Sequence, residues 1–310
     1  MITLQEWLEE EFPTKEEKEQ IKSINKKHWT FFEGLEGGEL DLSEFANLKQ
    51  IWIDEMVLKT PLTRINLPKN GTLKLLRLTG HQLNHLDLTE NKNLKELYVT
   101  GNQITELDLS HQLNLKKVDC GDNQLTYLNV ANCPNLEEIS CYSNNLSSVD
   151  FLAQLSNPEK LEVLKINDNN IQPTDIKVFK HFVNLEDLRI GTVGLLSFLE
   201  DGKRNKFYGS LKSWRNLAEL KYVGIEATDI DSGLEYLPIG LEEIECEAYD
   251  PSHKCQAIQN ELEPFEYDLE SWQAENFELI KKVRQEKLQK LQAEVAGMEN
   301  KMEALTIQKK

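Results

Sequence analysis

Across 310 residues, 35 basic and 53 acidic side chains leave a formal charge of −18, which excludes sequence-independent binding to nucleic acid or anionic membrane over the whole surface. The apolar fraction is 39%, below the roughly 45–50% of an ordinary globular domain, and suits a shape with much surface around a thin core. No run of about 18 apolar residues predicts a membrane-spanning helix. The acidic stretch from Met1 to Glu11 lacks the apolar centre of a signal peptide. Five cysteines, an odd number, then fit a reducing compartment, and the expectation is a cytoplasmic or nuclear protein.

Residues 1–20 open the chain with two helix starts. Thr3-Leu4-Gln5-Glu6 and Thr14-Lys15-Glu16-Glu17 both have the capping-box form, and Pro13 separates them. Leu4, Trp7, Leu8 and Phe12 recur at helical spacing, so this segment predicts a helical lid with one apolar face.

From 21 to 249 the chain repeats itself. Blocks beginning at Leu73, Leu94, Leu115 and Leu136 lie 21 residues apart and share the form L-x-x-L-x-L-x-x-N-x-L. The third reads Leu115, Val118, Cys120, Asn123, Leu125; the first carries His81 in the Asn place. A second apolar pair follows in phase, as in Leu107 and Leu109. Looser copies run from Leu48 through Leu161 and Leu185 to Leu241, with Ile21 and Ile24 as a degenerate start, predicting nine or ten coils. In x-L-x-L-x the apolar residues alternate, which predicts short strands whose leucines point inward. Coils stacked about 4.8 Å apart pair those strands into one parallel sheet. The recurrent Asn falls at the turn leaving each strand, where its amide serves backbone groups that lack a ladder partner. Asn102, Asn123, Asn144 and Asn169 are therefore expected to be structural.

These blocks resemble leucine-rich repeat proteins over roughly Ile21 to Cys246. Segments such as Ile104-Thr105-Glu106-Leu107-Asp108-Leu109-Ser110 are most similar to bacterial internalin-type repeats and to expanded fungal families. Plant receptors carry longer repeats and cysteine-paired caps, both absent here. The resemblance implies an α/β solenoid: an arc with a parallel concave sheet, helical caps and, here, an added carboxyl-terminal helix. It further implies a protein-binding module or sensor, without naming the partner. Cys120 and Cys141 share one inward slot in adjacent coils, as Cys246 does later. In-register side chains sit about 4.8 Å apart, too far for a disulfide, so a thiol ladder is expected, similar to that of some internalins.

Outward positions of the sheet stack into columns. The central one reads Trp52, Arg77, Tyr98, Asp119, Ser140, Lys165, Arg189, Gly224 and Glu245. Its neighbour reads Asp54, Thr79, Thr100, Gly121, Tyr142 and Asn167. Aromatic and Arg residues dominate binding hot spots, so Trp52, Arg77, Tyr98, Asp119, Tyr142, Lys165 and Arg189 are the candidate partner-binding residues. Periodicity breaks between Ile190 and Leu217, predicting an insertion over 191–216. Within it, residues 202–215 hold five basic residues and no acid. Lys203, Arg204, Lys206, Phe207, Tyr208 and Trp214 there form a second candidate surface, a basic-aromatic loop for a phosphate-bearing or nucleic-acid ligand. Docking of that loop on the acidic rear cap, with its aromatics completing the core, is the competing expectation.

Residues 250–273 predict a rear cap broken by Pro264, and 11 acids against Lys254 alone lie between Glu242 and Glu275. The segment 274–310 predicts a helical, coiled-coil tail. Leu288, Leu291, Val295, Met298, Met302 and Leu305 follow a short heptad seam suited to weak self-association. No H-E-x-x-H, phosphate-binding loop, G-x-S-x-G or G-x-G-x-x-G pattern occurs, and the six histidines are scattered. No enzyme activity, metal or cofactor is expected. The expected function is a non-catalytic scaffold or sensor holding a protein on its concave face.

Overall fold

The computed structural model describes residues 2–25, 34–54, 58–69, 71–193, 204–250, 252–265 and 267–308, with backbone alone at 287, 291, 294 and 297–308. Ten short parallel strands form one sheet in sequential order, from Ser23–Ile24 to Glu243–Glu245. The register aligns one inward residue per coil: Ile24, Ile51, Leu76, Leu97, Val118, Ile139, Leu164, Leu188, Val223 and Ile244. All are buried, so the alternation read in the sequence is the alternation of the pleat. The second apolar pair of each coil builds the opposite wall, where Glu106–Asp108 pairs in parallel with Tyr127–Asn129. Leu107, Leu109, Leu128 and Val130 point from that wall into the same core.

Each strand exit is closed by an amide. Asn123 Nδ2 donates to the carbonyls of Val99, Cys120 and Gly121 at 2.9, 3.1 and 3.0 Å, and its Oδ1 accepts from the Ile104 amide at 3.0 Å. One side chain thus ties two coils. Asn102, Asn144 and Asn169 repeat the pattern. His81 takes the same post with its ring: Nδ1 accepts from the Leu62 amide at 3.4 Å and Nε2 lies 3.1 Å from the Ile53 carbonyl. The residue before the amide is left-handed in successive coils, with φ of 75° at Gly80, 70° at Gly101, 49° at Asp122 and 49° at Ser143. That conformation turns the chain out of the strand, and Gly and Asp are among the residues that tolerate it best.

A second, unforeseen column stands at another corner. Asn91, Gln112 and Cys133 are 21 apart in sequence and buried. Each donates to a carbonyl of the preceding coil: Asn91 to Pro68 at 2.9 Å, Gln112 to Leu88 at 2.8 Å, Cys133 to Leu109 at 3.1 Å.

The expected insertion at 191–216 is corrected by the structure. The coil resumes at Asn205, which is fully buried. Its Nδ2 donates to Ile166 and Ile190 carbonyls at 2.8 and 2.9 Å, and its Oδ1 accepts from the Ile171 amide at 3.1 Å. Phe207–Gly209 then pairs with Thr174–Asp175 on one side and Asp229–Ile230 on the other. Phe207, Leu211, Trp214 and Leu217 are core residues of an ordinary coil. The extra length is confined to the stretch ending before Arg204.

The front end is closed by helices Leu4–Glu11 and Lys15–Gln20, and both capping boxes form. Phe12 stacks edge-on between Trp7 and Phe45, and the buried Lys18 ammonium bridges Glu9 and Glu44 at 2.6 Å each. At the rear, helices Gln256–Leu262 and Leu269–Glu275 bury Ile258, Leu262, Leu269 and Trp272. The final helix, Phe277–Gln308, starts by burying Ile280 and touches the turn Leu234–Tyr236. Farther along, Leu288 and Val295 are 56% and 54% exposed. Leu291, Met298, Met302 and Leu305 have side chains outside the described residues, so the rest of the seam is placed by its helical backbone alone. Among the described residues, no helix is long and apolar enough to cross a membrane.

Candidate functional site

The outward column is aligned by strand register as the spacing predicts: Trp52, Arg77, Tyr98, Asp119, Ser140, Lys165, Arg189, Gly224, Glu245. Its front half is an aromatic–guanidinium stack. The Arg77 guanidinium lies 5.0 Å from the Trp52 ring centre and 5.6 Å from that of Tyr98. Asp54 fixes the stack, accepting from Arg77 Nε at 3.0 Å and from Trp52 Nε1 at 2.7 Å. Tyr98 donates to Glu96 at 3.1 Å; burial first, then the Glu96 charge, raises its phenol.

In the middle, Asp119 is held above its ordinary value by burial, although the Gly121 amide donates to it at 3.2 Å. Tyr142 lies flat across Gly121, where an added Cβ would come within 2.4 Å of the ring. Burial, then the Asp119 and Asp122 charges, pushes Tyr142 up to about 12. Lys165 and Arg189 are both engaged by Asp187 at 3.0 Å, and Arg189 also reaches Glu245 at 3.0 Å. The seven predicted residues therefore share one face, but the rear ones are paired within the sheet.

The basic-aromatic loop does not assemble as a ligand site. Phe207 and Trp214 are fully buried, Trp214 Nε1 donates to the Ile176 carbonyl at 3.1 Å, and Phe207 packs 5.4 Å from Phe179. Arg204 donates to the Ala227 carbonyl at 3.0 Å and pairs with Asp229 at 3.4 Å. Tyr208 is exposed, Lys206 is half-buried, and Lys203 lies outside the described residues. Aromatic stacking on bases needs free ring faces, and two of the three rings have none.

The neighbouring column does not end at Asn167: it continues through Gly191, Glu226 and Glu247, joined by backbone bonds across the coils. Glu226 is only 3% exposed. A Cβ on Gly191 would lie 2.3 Å from its Oε2, and one on Gly224 would lie 3.1 Å from it. Two glycines therefore make room for the carboxyl. With Val193, Ile244, Glu245, Cys246, Glu247, Tyr249 and Tyr267 it lines a cavity of about 320 Å³. Burial, reinforced by the Glu245 and Asp168 charges, pushes Glu226 up to about 8. The signal available in sequence was a pair of glycines in adjacent coils, Gly191 and Gly224, one in each of the two outward columns.

The five cysteines are free and buried. Burial raises Cys120 and Cys141, and Cys120 Sγ donates to the Ser140 carbonyl at 3.5 Å. Raised thiols are poor nucleophiles and poor metal ligands. Among the described residues no three His, Cys, Asp or Glu side chains converge as a metal site.

No protein-family model matches the sequence, and no curated protein sequence matches it. Solved structures do. Internalin C2 from Listeria monocytogenes superposes with a TM-score of 0.50 at 21% identity, covering 68% of this chain and 84% of that one. The functional domain of InlJ from the same organism, described as including a cysteine ladder, gives 0.48 at 19% identity over 66% of this chain and 45% of that one. YopM from Yersinia enterocolitica gives 0.47 at 20% identity over 65% and 38%. The chain thus spans less than half the length of the InlJ domain. The architecture is that of a leucine-rich repeat solenoid.

Proposed function

We propose that this leucine-rich repeat chain is a non-catalytic interaction module that holds a protein partner on its concave sheet. The supporting observation is the Trp52–Arg77–Tyr98 stack. Side chains of the types enriched in hot spots are pre-ordered there by Asp54, which lowers the entropy lost on binding. An open sheet with aligned columns suits a folded surface or an extended peptide better than a small substrate. The five cysteines are buried and burial raises their thiols, which makes them poor nucleophiles.

The test is affinity capture from the native cell with wild-type chain and with an Arg77→Ala/Tyr98→Ala variant, followed by mass spectrometry. A protein captured by the wild type and lost from the variant, with circular dichroism unchanged, is the expected result. Equal capture by both chains moves the site off the front of the concave face.

We also propose weak self-association through the final helix, on the exposure of Leu288 and Val295 along one seam. So short a seam is marginal alone, and the tail's 8 basic and 6 acidic residues leave it near neutral.

A further inference from the structure

The rear of the concave face differs from the front in charge and in satisfaction. Glu226 Oε2 and Thr192 Oγ1 are buried with no hydrogen-bond partner among the described residues. Buried polar atoms are almost always paired, so an orphaned carboxylate oxygen lining a cavity requires a reason. Asp168, Glu245 and Glu247 add charge of the same sign. Arg189, the cation that reaches Glu245, is already committed to Asp187. Tyr249 and Tyr267 contribute to the walls, and Tyr249 is anchored by donating its hydroxyl to the Val193 carbonyl at 3.1 Å.

We propose that this recess receives a basic side chain, a lysine or arginine, from the protein partner. An ammonium or guanidinium there donates to Glu226 Oε2 and meets the charges of Glu245 and Glu247, while tyrosine walls favour a cation with an alkyl stem. A volume of about 320 Å³ sits at the lower end of small-ligand cavities and accommodates one long side chain. A bare metal ion fits less well, because the donors converge from too few carboxylates among the described residues. Without a cation, a proton does part of the same work. Protonated, Glu226 is spared the repulsion of the Glu245 and Asp168 charges; ionised, it faces them in a buried site. The incoming cation replaces that proton, so binding releases it. The groups facing Glu226 are Glu245 and Asp168, with Glu247, Tyr249 and Cys246 around the rim and Arg189 behind Glu245. The thiol and the phenol both lie above neutrality, which leaves Glu226 to set the pH response.

The inference rests on the protein-binding reading for its partner, yet its test needs none. Butylammonium chloride is titrated into the full chain, with butanol and sodium chloride as controls, while the backbone amides of Glu226, Ala227 and Glu247 are followed by nuclear magnetic resonance. Saturable shifts with butylammonium alone are expected. The affinity rises about tenfold or more between about pH 6 and about pH 9 as Glu226 gives up its proton. Glu226→Gln weakens binding about tenfold, and so does Glu247→Gln, whose exposed position leaves folding untouched. Absence of saturable shifts, equal shifts with butanol or sodium, or unchanged affinity in both folded variants overturns the proposal. A silent recess beside a partner lost on Arg77→Ala/Tyr98→Ala sinks this inference alone; a responsive recess with no such loss sinks the front-face reading alone.

Discussion

The coils from Leu94 to Phe151 and those from Leu185 to Cys246 solve one backbone problem with different materials. In the first group the period is strict, each strand exit is closed by Asn102, Asn123 or Asn144, and the outward neighbour column is filled by Thr100, Gly121 and Tyr142. In the second group the closing amide comes from Asn205, beyond a stretch of extra residues, and the next coil substitutes Thr228, whose hydroxyl donates to the Ile225 carbonyl at 2.6 Å. What persists is a donor at the strand exit, not a residue count. The second group also leaves Thr192 and Glu226 with unsatisfied oxygens. Gln112 Oε1 in the regular group is unsatisfied as well; what sets Glu226 apart is that its residue lines a cavity on the open face.

That contrast breaks first at Trp214. If residues 205–217 form a true coil, Trp214→Ala removes a fully buried ring and costs about 3–5 kcal/mol, read as a lower midpoint in chemical denaturation. A loss below about 1 kcal/mol would return this segment to a surface loop.

Glu226 gives an effect of comparable size, with the opposite sign. Its folded value of about 8 stands above the ordinary 4.5, so its favourable contribution is complete below about 4.5 and is lost as pH rises through 8. Glu226→Gln should gain stability over wild type across that window and then level off, on the order of 4–5 kcal/mol at the plateau. A difference between the two chains that is flat from pH 4.5 to 8 would show that the carboxyl is not held in a poor environment for charge.

Asn123→Ala tests the regular group. It strands the Ile104 amide and removes one of two donors from each of the Val99, Cys120 and Gly121 carbonyls, costing on the order of 1–3 kcal/mol; unchanged midpoint and slope would count against the amide column. Smaller still is Arg77→Ala with Tyr98→Ala, which removes a half-exposed stack and one surface ion pair worth roughly 1 kcal/mol together. Its thermal midpoint should move little while partner binding falls. Deleting residues 286–310 is expected to leave the melting profile almost unchanged. Light scattering over a wide concentration range should show weak association disappearing; a strict monomer before deletion would remove the self-association proposal.

Much of the fold was legible because a solenoid writes its contacts into its period. Leu97, Val118 and Ile139 meet their neighbours at fixed intervals, so the inward slots, the Asn posts and even the exchange of His81 for Asn could be read directly. The second corner column of Asn91, Gln112 and Cys133 carried the same spacing, yet three different side chains concealed one shared role. Asn205 followed by Phe207 repeats the N-x-L ending, but the extra residues before it displaced it from phase.

The amino-acid sequence by itself determined which side chains enter the core and which line the open face, because alternation along a strand and repetition between coils are local properties. Only the tertiary structure decided that Phe207 and Trp214 are core rather than ligand contacts, since that depends on Phe179 and Ile176 from the preceding coil. Only the structure likewise placed Glu226 over Gly191 and Gly224 and beside Glu245. Whether a carboxyl is solvated or enclosed is set by what its neighbours across the coils leave empty, and an absent side chain has no periodic signature of its own.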